Sequence, residues 1–210
     1  MKLKFAAVVF GAALVLSASV AEACSRKMPA KAESTIVPTA RINQSLLDAA
    51  IRAEVNFHRC RAGRSALDAG GSSLTRVAQG HSKWMAKTQI LSHKSTVPGR
   101  ASLSQRVKAT GARFRTGSEN IGFVHRYQID NKRFRILNSS ACQFASYEGQ
   151  SLDAHSYASL ARHAVNLWMN SPGHRKNILD KRVKAVSTAV AFDPKAQYCG
   201  RFWLTQNFIG

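Results

Sequence analysis

Three residues in this chain combine a reactive side chain with a setting that could use it: His93, Glu119 and His174. His174 stands in the string Trp168-Met169-Asn170-Ser171-Pro172-Gly173-His174-Arg175-Lys176-Asn177-Ile178-Leu179. There Ser171 reads as an N-cap and Pro172 as the first helical position. A histidine in the first turn of a helix feels the positive end of the dipole, which favours neutral imidazole, the form that binds a metal or accepts a proton. The same string also reads as a plain helix-helix corner with a satisfied polar residue beside it. His93 lies in Leu91-Ser92-His93-Lys94-Ser95, irregular chain ahead of the Pro98-Gly99 turn, where function concentrates. Glu119 falls between Gly117 and Gly122, which let backbone come close, although a surface turn entering a strand is the alternative. A fourth candidate, His81, shares an apolar helical face with Leu74, Val77, Ala78 and Met85, so a hydrogen-bonded core position is favoured over a ligand. Arg175 is a candidate anion contact, pointing toward Glu119 or solvent. Ser171 with a histidine and an acid would be a hydrolase triad, but no nucleophile-elbow motif surrounds it and the serine is expected to be occupied as a cap.

The elements that must position these residues follow from spacing. Leu47, Ile51 and Val55 recur every four residues behind Asn43 or a Ser45-x-x-Asp48 capping box, predicting a first helix that Gly63 stops. After Gly70-Gly71, Ser73 is expected to cap a second helix; Ser102-x-x-Gln105 caps a short third one ended by Gly111. Residues 123–147 read as irregular chain with one or two brief strands. Ser156 or a neighbour opens a fourth helix with Leu160, Ala161, Ala164, Val165 and Trp168 inside. Lys184–Phe192 and Arg201–Phe208 read as two strands of a hairpin turned by Asp193-Pro194. Helices first and antiparallel strands late imply an α+β fold in which helices cover a sheet.

The chain has 210 residues. It opens with Met1-Lys2-Leu3-Lys4, an apolar run from Phe5 to Leu16 and Ala21-Glu22-Ala23, the pattern of a secretory signal peptide over 1–23 that is too short to be a membrane anchor. Residues 24–44 read as a lead-in and 45–210 as one domain. The expected location is secreted or periplasmic; a lipid anchor on Cys24 is less favoured because Glu22 spoils the attachment context. Cys24, Cys60, Cys142 and Cys199 survive cleavage, and an even count in an oxidising compartment predicts two disulfides. Three pairings are open; Cys24–Cys60 with Cys142–Cys199 is preferred. With 31 basic and 11 acidic residues the net charge is +20, a field that draws the protein toward anionic envelope components or lipid headgroups. The basic residues are scattered, without an aromatic-interleaved stripe, so no specific nucleic acid is expected. No later stretch is apolar enough to span a bilayer.

Several strings together carry a resemblance: Val55-Asn56-x-x-Arg59, Ala78-x-x-His81-Ser82-x-x-Met85, Leu91-Ser92-His93, Arg106-x-x-x-x-Gly111, Ser118-Glu119-Asn120-Ile121, the Trp168–Leu179 string, and Trp203-x-x-Gln206-x-Phe208. In this order they resemble the CAP superfamily, the SCP/PR-1-like secreted proteins, in its bacterial branch. The resemblance implies a three-layer α-β-α sandwich with a central antiparallel sheet and a cleft. In the wider family that cleft often holds two histidines and two acidic residues, and some members bind zinc or another divalent ion. His93, Glu119 and His174 match three of the four; the second glutamate falls on Ser171, and Ser118 stands where glycine usually precedes Glu-Asn. Two imidazoles and one carboxylate suffice for zinc with an open fourth position, while the missing carboxylate would have been the general base. The alternative is a hydrogen-bonded polar cluster in which Glu119 raises the histidine pKa values and Asn120 ties down the loop. The implied functions are a cleft-based binding module, with lipid or sterol among the permitted ligands, or a metal-dependent hydrolase using His93, Glu119 and His174; a purely structural envelope role is the third.

Overall fold

The computed structural model describes residues 24–38 and 41–210, so the expected signal peptide lies outside the described residues. In chain order the elements are α1 (Gln44–Arg61), β1 (Asp68–Ala69), α2 (Gly71–Thr88), α3 (Leu103–Lys108), β2 (Gly117–His125), β3 (Phe134–Asn138), β4 (Gln143–Ser146), α4 (Tyr157–Met169), α5 (Pro172–Leu179), β5 (Ala185–Asp193) and β6 (Arg201–Ile209). The main sheet has the order β1-β5-β6-β2. Strands β5, β6 and β2 pair antiparallel, and the two-residue β1 joins β5 in parallel, so the central sheet is antiparallel with a short parallel edge.

Alternation along β6 assigns the two faces. Phe202, Leu204 and Phe208 enter the larger core with Leu47 and Ile51 of α1, Leu160 and Val165 of α4, and Ile178 of α5. Trp203 points the other way, against Met85 and Trp84 of α2. Each fully buried aliphatic side chain of the larger core contributes roughly 1.5–3 kcal/mol by leaving water. The result is the expected three-layer α-β-α sandwich.

The first helix is capped by Asn43, whose side chain accepts from the Leu46 amide, rather than by a Ser45 box. Asp48 is drawn off to the sheet, where its carboxylate accepts from the Thr188 amide at 2.6 Å. Gln44 does the same one turn earlier, its amide accepting from Val190 N at 3.0 Å and donating to Val190 O at 3.2 Å. Side chains of α1 thus occupy backbone groups along the edge of β5 that would otherwise invite another strand. The second helix starts at Gly71 behind Gly70, not at a Ser73 cap. Gly70 donates to Val186 O, and a β-carbon there would lie 2.8 Å from Ser187 Oγ, so the close approach of the helix start to β5 decides where it begins. Ser102 with Gln105 and Ser156 with Ser159 form the capping boxes of α3 and α4. Ser171 makes no side-chain cap to α5, correcting the expectation. Its amide already donates to Trp168 O and its carbonyl accepts from Arg175 N, so backbone bonds alone close the tight corner from α4.

The lead-in is held by the Cys24–Cys60 disulfide and by Arg26, which pairs with buried Glu54 at 2.9 Å; Ala32 and Ile36 then join the main core. The 123–147 region yields the β3–β4 hairpin, packed through Phe134 and Phe144 on Tyr127 and Tyr198 and tied by the Cys142–Cys199 disulfide to the turn before β6. Among the described residues no helix is long and apolar enough to cross a membrane.

Two outcomes are expected. Replacing Cys142 and Cys199 together by Ser removes a cross-link spanning 57 residues and lowers stability by about 2–4 kcal/mol in a denaturant titration, with β3 and β4 the first elements to lose hydrogen-exchange protection. His155 is buried, its ring 5.6 Å from that of His163, and burial pushes its pKa from 6.5 down to about 4, with the neighbouring His163 adding to the depression. The neutral form is the folded one, so this contribution is complete above pH 6.5 and is lost as pH falls toward 4, about 3 kcal/mol in all. Urea titrations at pH 7 and pH 4.5 should show a smaller difference in His155→Gln than in the parent.

A candidate polar cleft at the edge of the sheet

Strand β2 forms one edge of the main sheet and carries Glu119 and Asn120 on opposite faces. Glu119 faces α2 and α3, where it is buried. Its Oε2 accepts from Arg106 of α3 at 2.6 Å and its Oε1 accepts from His93 Nδ1 at 2.9 Å. Arg106 is itself buried and holds the 93–101 loop in place, donating to Ala101 O at 2.8 Å and to His93 O at 3.3 Å. A buried carboxylate is costly unless paired, and this guanidinium supplies the pairing. Because the carboxylate can only accept, His93 must carry its proton on Nδ1. That leaves Nε2 as an acceptor on a side chain that is 57% exposed. Glu119 therefore acts as an orienting group, and His93 presents a fixed tautomer outward.

His81 is fully buried on α2, as the helical spacing favoured. Its Nε2 donates to Ser92 O at 2.9 Å and lies 3.9 Å from Glu119 Oε1. Burial lowers its pKa, outweighing the opposite pull of Glu119. His174 in the first turn of α5 is half-buried, and its pKa is also lowered, first by burial and then by the nearby charge of His93. The expectation that Glu119 would raise the pKa values of the clustered histidines thus fails for His174, whose shift comes from burial and from His93.

On the other face Asn120 is fully buried and belongs to a separate network. Its amide donates to Gln206 Oε1 at 3.1 Å and to His174 O at 3.4 Å, and its oxygen accepts from Asn177 at 2.9 Å. Gln206 continues to Thr188 Oγ1 at 3.2 Å, and Asn177 also donates to Glu119 O at 3.2 Å. These bonds pin α5 to β2. Trp168 adds a donation to Ile121 O at 3.2 Å. The conspicuous Trp168–Leu179 string is thus chiefly a fastening for the sheet edge that carries Glu119, with His174 held by its backbone.

The structure brings His93 to Glu119 directly and His174 close enough to sense His93. Arg175 is exposed and is not the partner of Glu119; Arg106 is, a residue visible in sequence only as a match to the family strings. Among the described residues no group of three His, Cys, Asp or Glu side chains is placed to share one metal ion. A divalent ion at His93 and His174 would have to recruit a carboxylate whose two oxygens are already engaged by Arg106 and His93.

The layers, the two disulfides and this histidine-acid edge together define a disulfide-linked α-β-α sandwich with a polar group at one sheet edge. The chain belongs to the CAP family, the cysteine-rich secretory protein family, whose model matches residues 53–208. Among solved structures it is similar to an extracellular SCP-domain protein from Bacillus anthracis str. Ames, with 24% identity and a TM-score of 0.53 over 83% of this chain and 44% of that one. It is also similar to an outer surface protein from Borrelia burgdorferi, at 12% identity and TM-score 0.49 over 76% of this chain and 89% of that one. A cysteine-rich secretory protein from Staphylococcus aureus subsp. aureus Mu50 matches at 14% identity and TM-score 0.47, over 80% and 39% of the two chains. The chain therefore spans less than half the length of the Bacillus and Staphylococcus proteins. No curated protein matches its sequence.

The pairing at Glu119 makes a clear stability prediction. Arg106→Ala leaves a buried carboxylate without its cation and is expected to cost about 3–5 kcal/mol, whereas His93→Ala at the exposed end costs less than about 1 kcal/mol. Equilibrium urea denaturation at pH 7 measures both.

Proposed function

We propose that this is an exported CAP-domain protein that works as a binding module in the periplasm or the medium, taking up anionic envelope components at the polar cleft flanked by His93 and His174. The observation that carries the reading is the pairing of Glu119 with both Arg106 and His93, which spends the acidic residue on positioning and leaves it unavailable as a proton acceptor. What remains toward solvent is an oriented His93 imidazole on a strongly cationic protein, whose field attracts an anion; the doubly protonated ring, with Nδ1 held by Glu119, donates to that anion through Nε2. Export is supported by two disulfides, by the signal-like amino terminus and by the extracellular description of the Bacillus relative.

The test compares lipid binding with metal uptake. In the proposed reading the oxidised protein sediments with phosphatidylglycerol vesicles and not with phosphatidylcholine vesicles, binding falls with added salt, and the His93→Ala/His174→Ala pair weakens it by about threefold or more. Calorimetric titration with zinc is expected to give the same weak isotherm for the parent and for His93→Ala. Stoichiometric zinc uptake that His93→Ala abolishes, together with zinc-dependent ester or peptide hydrolysis, would replace the binding module by the metal-dependent hydrolase.

A further inference from the structure

A cavity of about 180 Å³ lies beside His81, between α2 and the 95–100 loop, with Arg106 of α3 also in its lining. Val77, Trp84 and Val97 give it apolar walls, Arg76 and Arg100 are its exposed cations, and no acidic residue lines it. The wall is held firmly. Trp84 Nε1 donates to Thr96 Oγ1 at 3.1 Å, tethering the loop to the helix, and the Trp84 ring stacks on His81 at 5.5 Å and 8°. Ser95 Oγ donates to Arg100 O at 3.0 Å, closing the loop on itself.

Two features have no explanation in packing. The first is Gly80, in the interior of an 18-residue helix, where glycine costs about 1 kcal/mol relative to alanine. A β-carbon added at Gly80 would meet nothing within 4 Å, so no close approach demands glycine there; the residue lines the cavity and its lack of a side chain keeps that space open. The second is His81. Its Nε2 must donate to the Ser92 carbonyl, which makes the buried Nδ1 an acceptor, and Nδ1 has no partner. A buried acceptor without a partner costs about 1–3 kcal/mol; the His81 side chain has no exposed surface, so a ligand hydroxyl reaches Nδ1 only with a turn of the ring.

We propose that this cavity is a second binding site, for a small aromatic carboxylate bearing a hydroxyl at the end opposite its acid group. The ring would lie among Val77, Trp84 and Val97, Arg76 and Arg100 would take the carboxylate, and the hydroxyl would approach His81 Nδ1. The volume lies below the roughly 300–1,000 Å³ of drug-sized ligand pockets and suits a body of about ten heavy atoms. Neither His93 nor His174 lines the cavity, although it shares Arg106 and the 93–101 loop with the cleft.

The experiment uses the oxidised chain and 4-hydroxybenzoate, followed by calorimetry and by tryptophan fluorescence. Saturable binding below about 1 mM is expected, a normal affinity for a ligand of this size. Benzoate, lacking the hydroxyl, and 4-hydroxybenzamide, lacking the charge, should each bind at least about fivefold more weakly. Gly80→Leu, which fills the mouth of the cavity with a good helix former, should abolish binding while its thermal midpoint stays at or above that of the parent. Arg76→Gln/Arg100→Gln should weaken 4-hydroxybenzoate by about tenfold and leave the amide unchanged. Absence of saturation, equal binding of acid and amide, or undiminished binding in folded Gly80→Leu overturns the proposal. Because His93→Ala/His174→Ala should bind 4-hydroxybenzoate like the parent, failure of the cleft reading and failure of this one are separable.

Discussion

Strand β6 is paired along nine residues with β5 on one side and with β2 on the other, and seven of its residues in a row are buried. A strand in that position cannot slip, because a shift of one residue would exchange Phe202, Leu204 and Phe208 with Trp203, Thr205 and Asn207 across the sheet. The register it imposes on β2 separates two neighbouring residues. Glu119 must face α2 and α3, and Asn120 must face α5. Everything at the candidate cleft follows from that separation: the carboxylate meets a guanidinium and a loop histidine, and the amide fastens the helix that presents the second histidine.

The electrostatics are decided by burial. The buried carboxylate of Glu119 is paired with Arg106, and the pair is the anchor for the 93–101 loop. The lowered pKa values of His81 and His174 have the same origin, since an imidazolium would lose its hydration there. A three-residue match to a metal-binding pattern is therefore compatible with a site in which the acid orients one histidine and the protein supplies the cation itself.

Cross-links and side-chain caps carry the periphery. The two disulfides fix the amino-terminal segment and the β3–β4 hairpin, neither of which contributes a strand to the main sheet. Gln44 and Asp48 complete the edge of β5 with side-chain groups, which lets a four-stranded sheet end without an open ladder at those positions.

Much of this was legible from residue spacing. The four-residue periodicity of Leu47, Ile51 and Val55, the capping box at Ser102, the helix start near Ser156 and the alternation in Arg201–Phe208 are local signals, and helices and strands follow local signals when the apolar pattern agrees with them. The family strings placed His93, Glu119 and His174 in one region and implied the three layers. Other features depended on residues far apart in the chain. Ser171 lost its capping role to backbone bonds at a corner, Ser73 lost its own to the approach of Gly70 to β5, and Asp48 left its helix for Thr188. The partner of Glu119 was equally hidden, because Arg106 lies 13 positions away on a different element and only the packing of α3 on β2 brings the charges together. Local sequence thus determined which elements form and which residues could act, while the tertiary structure decided which charges meet. Desolvation and pairing depend on what surrounds a group in space, and no spacing along the chain contains that information.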